Sequence, residues 1–287
     1  MRARVRAAMV VVIVAHGLVH LLGSRLTAGA AAAWLAAAVL LAAAGVLLAV
    51  RSRWWWVVGA VAVAVSQGLI LASWSDARTG TAANAVVLVA VLYGFASQGP
   101  TSPRAEYRRR ARETVAEVVG DGRVTEADLA HLPAPVAAYV RQSGAVGQPR
   151  VASFHARIHG RIRSGAAKPW MTFTGEQVNT YGPEPTRLFY LDATMRGLPV
   201  DVIHTFVGSS ATMRAKVCSL VTMVDAAGPE MDRAETVTLF NDLCVLAPAA
   251  LVDAPVDWDT IDDHHVRGAF THFSHTVTAE LVFNDDH

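Results

Sequence analysis

Acidic side chains are almost missing from the first third of this chain. Up to Arg112 only Asp76 and Glu106 are negative and lysine is absent, so twelve arginines leave that stretch at +10. From Glu113 onward thirteen cations meet twenty-two acids, a balance of −9 that the formal net charge of +1 conceals. An acidic second part with no basic and aromatic face argues against nucleic acid as a partner. Cysteine is scarce too. Cys218 and Cys244 lack CxxC spacing, which excludes a disulfide framework and a zinc finger and leaves two free, partly buried thiols. Catalytic signatures are also missing: the chain holds no GxSxG, no HExxH and no glycine-rich phosphate loop. Binding rather than catalysis is therefore expected.

What the chain does have is long apolar runs. It is 53% hydrophobic, with a mean hydropathy of +0.33, and the excess lies before Pro100. Residues 7–23, 30–50, 54–73 and 81–96 are each close to the ~20 residues that cross a bilayer as a helix. The first run has the basic start of a signal peptide, but three more spans follow at once, so a spanning helix is expected. Arginines set the orientation. Arg2, Arg4 and Arg6, then Arg51 and Arg53, then Arg104, Arg108, Arg109, Arg110 and Arg112 outnumber Arg25 and Arg78 on the opposite side. The positive-inside rule then predicts a multi-pass cell-membrane protein with both termini cytoplasmic. Trp54, Trp55 and Trp56 read as an interfacial anchor.

Polar residues inside the spans are informative. His16 and His20 stand four apart, one turn apart on one helix face. Counted from the cytoplasmic ends at ~1.5 Å per residue, His16, His20, Gln67 and Asn84 lie roughly 15, 21, 20 and 18 Å deep. Ser66 is beside Gln67. A shared intramembrane polar cluster is expected. It suits packing by hydrogen bonds, and Gly17 and Gly23 would permit close helix contact. Haem or a metal at His16 and His20, or a proton relay, is the functional alternative. No carboxylate or thiolate lies within the spans to complete a metal site, so no cofactor is expected.

After Pro100 the pattern changes. Residues 104–119 read as a basic amphipathic helix flanking the membrane, which would suit anionic headgroups. Thr125 and Asp128 have capping-box spacing. Asp121 and Gly122 hint at a calcium loop, but Glu117 and Val119 occupy positions that need alternate oxygens, which excludes it. Strand alternation begins at 151–163, where Phe154, Ala156 and Ile158 oppose a basic face of His155, Arg157, His159 and Arg161. Further strands are predicted at 170–178, 187–195, 200–207 and 211–220, a helix at 229–246, and a hairpin at 266–271 and 277–283. Asp262, Asp263, His264, His265, His272 and His275 cluster around that hairpin and read as a polar surface turn rather than a metal site.

The predicted fold class is a membrane all-α four-helix bundle followed by a soluble α+β domain, a curved antiparallel sheet with helical cover. Residues 1–99 form the bundle, 100–124 the basic juxtamembrane helix and 125–287 the soluble domain. An apolar cavity between sheet and helix is expected, lined by Phe154, Ile158, Leu243, Phe270 and Leu281. By analogy with lipoprotein-carrier-like folds it would take an apolar or lipid-like ligand. A redox or transport role for His16 and His20, and a structural or regulatory role without ligand, stay open beside it.

Stretches 129–150, 169–173, 225–232, 239–251 and 258–263 resemble a bacterial domain of unknown function. Some members carry an N-terminal multi-span region with a His-Gly-Leu-x-His motif, which His16-Gly17-Leu18-Val19-His20 matches. The resemblance supplies no activity. It implies more sheet beyond the last strand, so a chain ending at Asn284-Asp-Asp-His287 is expected to be a shortened version.

Overall fold

The computed structural model describes residues 3–26, 31–116, 122–163, 165–182 and 184–284. The chain divides into two compact units, Met1–Ala105 with Cys218–Leu220, and Glu106–Val217 with Val221–His287.

The first unit holds α1 (Ala3–Leu26), α2 (Ala31–Ala49), α3 (Trp55–Ala72), a short α4 (Trp74–Ala77) and α5 (Gly80–Gln98). Among the described residues four helices are long and apolar enough to cross a membrane: Val5–Gly23, Ala31–Ala49, Trp55–Ala72 and the one that starts at Gly80. Neighbours in sequence pack together, and α5 also meets α1. Ile13, Leu41, Ala62 and Val87 fill the centre, while Val11, Val39, Val46, Leu71 and Val89 point outward. Helices that are apolar inside and out suit a hydrocarbon surround, where no water competes for the backbone. Gly17 lets α1 approach α2, because a Cβ there would stand 3.1 Å from the Leu41 Cβ and 3.2 Å from the Ala38 carbonyl. The tryptophans separate: Trp54 is 56% exposed, but Trp55 is 1% exposed and belongs to the bundle core. An interfacial role for all three is therefore corrected.

In the second unit, α6 (Pro103–Ala116) and α7 (Ala134–Gln142) precede a six-stranded antiparallel meander. Its strands are β1 (Ser153–Ile162), β2 (Met171–Thr180), β3 (Thr186–Met195), β4 (Leu198–Val207), β5 (Ser210–Val217) and β6 (Val221–Ala227). Then come α8 (Pro229–Leu246), a 3-10 turn at Pro248–Val252, and a second sheet of β7 (Val256–Thr260), β8 (His265–His272) and β9 (His275–Val282). Thr125 and Asp128 do form the capping box, opening a 3-10 turn at Glu126–Leu129. Asp121, Glu117 and Val119 lie outside the described residues.

The bundle followed by an antiparallel α+β domain is the fold class the sequence implies. The sheet, however, is two sheets. β6 escaped notice because nearly all of its residues are exposed and show no alternation, and β7 is only five residues long. The basic face of β1 is exposed as expected. The basic helix is not simply a headgroup-facing flank. Tyr107 of α6 is buried against Val178, Leu188, Tyr190 and Ile203 on one face of the large sheet. Glu106 pairs with Arg214 beside it.

The opposite face, called the concave face below after the curvature expected of the sheet, carries the main core. Phe206 and Ala211 meet Leu239, Leu243 and Leu251, and the same cluster continues to Val266, Phe270 and Val277 of the second sheet. The Phe240 and Phe270 rings stack at 5.3 Å and 14°. Phe270→Ala removes a fully buried ring, so we expect it to cost the second unit about 3–5 kcal/mol. Hydrogen exchange of the β8 and β9 amides in detergent-held protein measures this.

Candidate functional site

Strand register explains what the concave face offers. Asn179 pairs with Arg187, Arg187 with Phe206, and Phe206 with Ala211, so these side chains share one row on one face. The next row along the strands holds Gln177, Phe189, His204 and Met213. Helix α8 lies across these two rows. Near its start Asp232 Oδ1 accepts the Ala211 amide of β5 at 2.7 Å. Glu235 then sits above β4 and β3, and Asp242 above β3 and β2.

The result is a buried polar cluster. Asp242 Oδ2 accepts from Gln177 Nε2 at 2.6 Å, Arg187 Nε at 2.7 Å and Asn179 Nδ2 at 2.9 Å. Arg187 Nη1 also donates to Glu235 Oε2 at 2.8 Å, and His204 Nδ1 donates to Glu235 Oε1 at 3.1 Å. Gln177, Asn179, Arg187, Glu235 and Asp242 are all buried. The fixed charges are one guanidinium and two carboxylates. Arg187 is shared between them, so Asp242 also draws on the two amides and Glu235 on His204. Burial pushes the Glu235 carboxyl up, but the His204 hydrogen bond and the Arg187 charge outweigh it and hold the group below the usual carboxylate range.

Beyond this cluster the same face turns apolar. Leu191, Ala193 and Val200 form a cluster with Phe173, Phe189, Met195, Val202 and Val217, and every member comes from a strand. Among the described residues no helix residue belongs to it, and Phe173, Phe189, Met195, Val202 and Val217 stay half-buried. Gly175 leaves room for it, since a Cβ there would stand 2.9 Å from the Phe189 ring. Phe189 and His204 rings lie 6.0 Å apart where the apolar and polar parts meet.

The five expected ligand residues do not line one cavity. Leu243 and Phe270 border a pocket of about 160 Å³ with Arg150, Tyr181 and Pro255. Leu281 borders a separate groove of about 730 Å³ between α8 and β9. Phe154 packs at the edge of the main core, and Ile158 is half-buried opposite Gly175, on the concave face. The polar cluster went unseen in the sequence, although Glu235 and Asp242 share the buried side of α8 with Leu239 and Leu243. Carboxylates within an apolar stripe were the signal. Around the hairpin, His265 Nδ1 bonds exposed Asp262 at 2.6 Å, whereas His272 is buried and donates to the Gly208 carbonyl at 2.9 Å. Burial lowers the His272 pKa. Among the described residues no three His, Cys, Asp or Glu side chains come together as metal ligands.

In the first unit His16, His20, Gln67 and Asn84 do meet. His16 Nε2 donates to Asn84 Oδ1 at 2.8 Å, and Asn84 Nδ2 donates to Gln67 Oε1 at 3.0 Å. His20 Nδ1 donates to the His16 carbonyl at 2.9 Å and its Nε2 lies 2.7 Å from Ser66 Oγ. Ser66 Oγ also lies 3.0 Å from Asn84 Oδ1, so its single proton has two takers. Both imidazoles border a cavity of about 260 Å³ with Trp34, Ile70 and Asp76.

Asp242→Ala removes the acceptor that Arg187 Nε, Gln177 and Asn179 share in the interior, so we expect a loss of about 3–5 kcal/mol in the second unit. Asp242→Asn keeps an acceptor oxygen and should cost less. Because the folded Glu235 pKa is depressed, its contribution is complete above the ordinary value of 4.5 and disappears as pH falls through the folded value. An acid titration of stability, compared with Glu235→Gln, checks both sign and window.

No curated protein and no solved structure matches the chain. A family model described as a family of unknown function (DUF6544) matches residues 122–287, which takes in α7, both sheets and α8. The chain therefore belongs to this family of unknown function, DUF6544.

Proposed function

We propose that the second unit is a membrane-tethered module that binds an apolar or lipid-like ligand on the concave face of its six-stranded sheet. The observation that carries this reading is the helix-free apolar cluster of Phe173, Phe189, Met195, Val202 and Val217. A soluble domain rarely leaves such a patch unfilled without a use. Four apolar helices in the same chain supply the tether. The ligand's acyl part would lie along Ile158, Phe173 and Val202. Its polar end would meet His204, whose Nδ1 is already engaged by Glu235. We further propose four membrane passes with both termini cytoplasmic, on the strength of the arginine distribution. An impermeant amine reagent on intact cells should then spare exposed Lys168 until lysis. Labelling before lysis would reverse the orientation.

A second reading rests on a different observation, the 260 Å³ cavity bordered by His16 and His20. It would make the first unit a redox or transport element that takes a haem, metal or quinone. An absorption and mass spectrum of gently purified protein separates the two readings: a chromophore lost in the His16→Gln, His20→Gln double variant supports the second.

For the first reading, a fluorescent fatty acid should bind the detergent-held protein. Phe189→Asp and Val202→Asp should weaken that binding at least tenfold while leaving the β8–β9 amides protected. Leu281→Asp, in the α8–β9 groove, should leave binding unchanged. If Leu281→Asp abolishes binding and the concave-face variants do not, the site is the groove and the proposal is wrong.

A further inference from the structure

The meander places its β1–β2 and β3–β4 turns at the same end of the large sheet, since Ile162 pairs with Met171 and Met195 with Leu198. The residues there have an unusual composition for this domain. Arg161, Arg163, Lys168 and Arg196 are exposed, and no acid occurs in residues 161–172 or 194–200. The part of the chain that follows Arg112 is acidic by nine charges even with these four cations counted. Among the described residues none of these four cations is held in an ion pair.

Large apolar side chains project at the same place. Trp170 is 52% exposed, Leu198 50% and Ile162 41%. The Arg163 guanidinium lies 4.5 Å from the Trp170 ring centroid and that of Arg161 5.7 Å from it. These contacts place two cations against the exposed indole. The opposite end of the sheet has the reverse character: Glu184 lies in the β2–β3 turn, and Glu230 and Asp232 open α8. The domain is thus polarised, with exposed cations and exposed apolar side chains together at this end.

Cations alone would suit any anion. Cations around a protruding tryptophan and two aliphatic side chains suit one surface in particular, a bilayer with anionic headgroups. There the indole settles at the interface, the aliphatic groups enter the acyl boundary, and the arginines reach phosphates. We propose that the β1–β2 and β3–β4 turns dock this end of the sheet on an anionic membrane surface. The claim stands independently of any ligand on the concave face.

The test uses the full chain in nanodiscs, one set made of phosphatidylcholine and one containing about a third phosphatidylglycerol. The phosphatidylcholine set is also measured with added phosphatidylglycerol vesicles, so that docking on a facing membrane registers too. Hydrogen exchange in the β1–β2 and β3–β4 turn peptides should slow about tenfold with anionic lipid in one arrangement or the other. High salt should reverse the effect. The Arg161→Glu, Arg163→Glu, Arg196→Glu variant and, separately, Trp170→Ser should each remove the protection. Unchanged β8–β9 exchange will certify that they are folded. Equal exchange with and without anionic lipid in both arrangements of the wild-type protein overturns the proposal. So does protection that persists in the triple glutamate variant.

Discussion

One oxygen atom organises the second unit. Asp242 Oδ2 accepts hydrogen bonds from two strands at once, through Gln177 and Asn179 of β2 and Arg187 of β3. A carboxylate taken out of water must be paired or it drives the structure apart. Pairing it here fixes how α8 sits on the sheet, because a slide of one residue would carry the oxygen out of reach of all three donors. Glu235 repeats the constraint one strand further on, and Asp232 does so at the β5 amide. The helix is therefore pinned at three points along its length, and apolar packing by Leu239 and Leu243 fills the spaces between them.

Much of this unit could be read from the sequence, and the reasons for the remainder are specific. Period-two alternation located β1 to β5 because each has at least one face against protein. β6 had no such signal: Val221, Met223 and Val224 are all exposed, so neither face is marked. The polar cluster was hidden for the opposite reason. In β2 and β3, Gln177, Asn179 and Arg187 alternate with Val178 and Leu188, and polar residues at every second position read as a solvent face. Here both faces are covered, one by α6 with Tyr107 and the other by α8. Alternation reports a difference between faces, and cannot say that the polar face is also dry.

In the first unit, a shared level and the pairing of a histidine with Asn84 were legible, and the part played by Ser66 was not. Counting rise per residue placed four polar side chains at one level, and those four are joined through Asn84 and Ser66. Ser66 was noted only as a neighbour of Gln67, yet it is the residue that links His20 to Asn84. Side-chain direction around a helix decides this, and composition does not encode it. The same limit explains the tryptophans. Three consecutive residues on a helix point about 100° apart, so they cannot all reach one interface. Trp55 takes the inward direction.

The half-buried apolar patch follows from the same pins that hold α8. Its contacts run from β5 at Asp232 to β2 at Asp242, so the helix crosses the strands rather than lying along them. Eighteen residues give it a length of ~27 Å, enough to span the sheet's width, since six strands at ~4.8 Å spacing cover about 24 Å. The strands themselves are ten residues long in β1 to β4, or roughly 33 Å. A helix about 10 Å wide laid across them covers about a third of that length. The rows under it are the polar cluster and its neighbours. The rows beyond it are those of Leu191, Val202, Ala193 and Val200, on strands whose sequence is as apolar as if they too were covered. The partial exposure of Val202 and its half-buried neighbours is thus a consequence of helix direction, which Asp242 and its two neighbouring acids dictate.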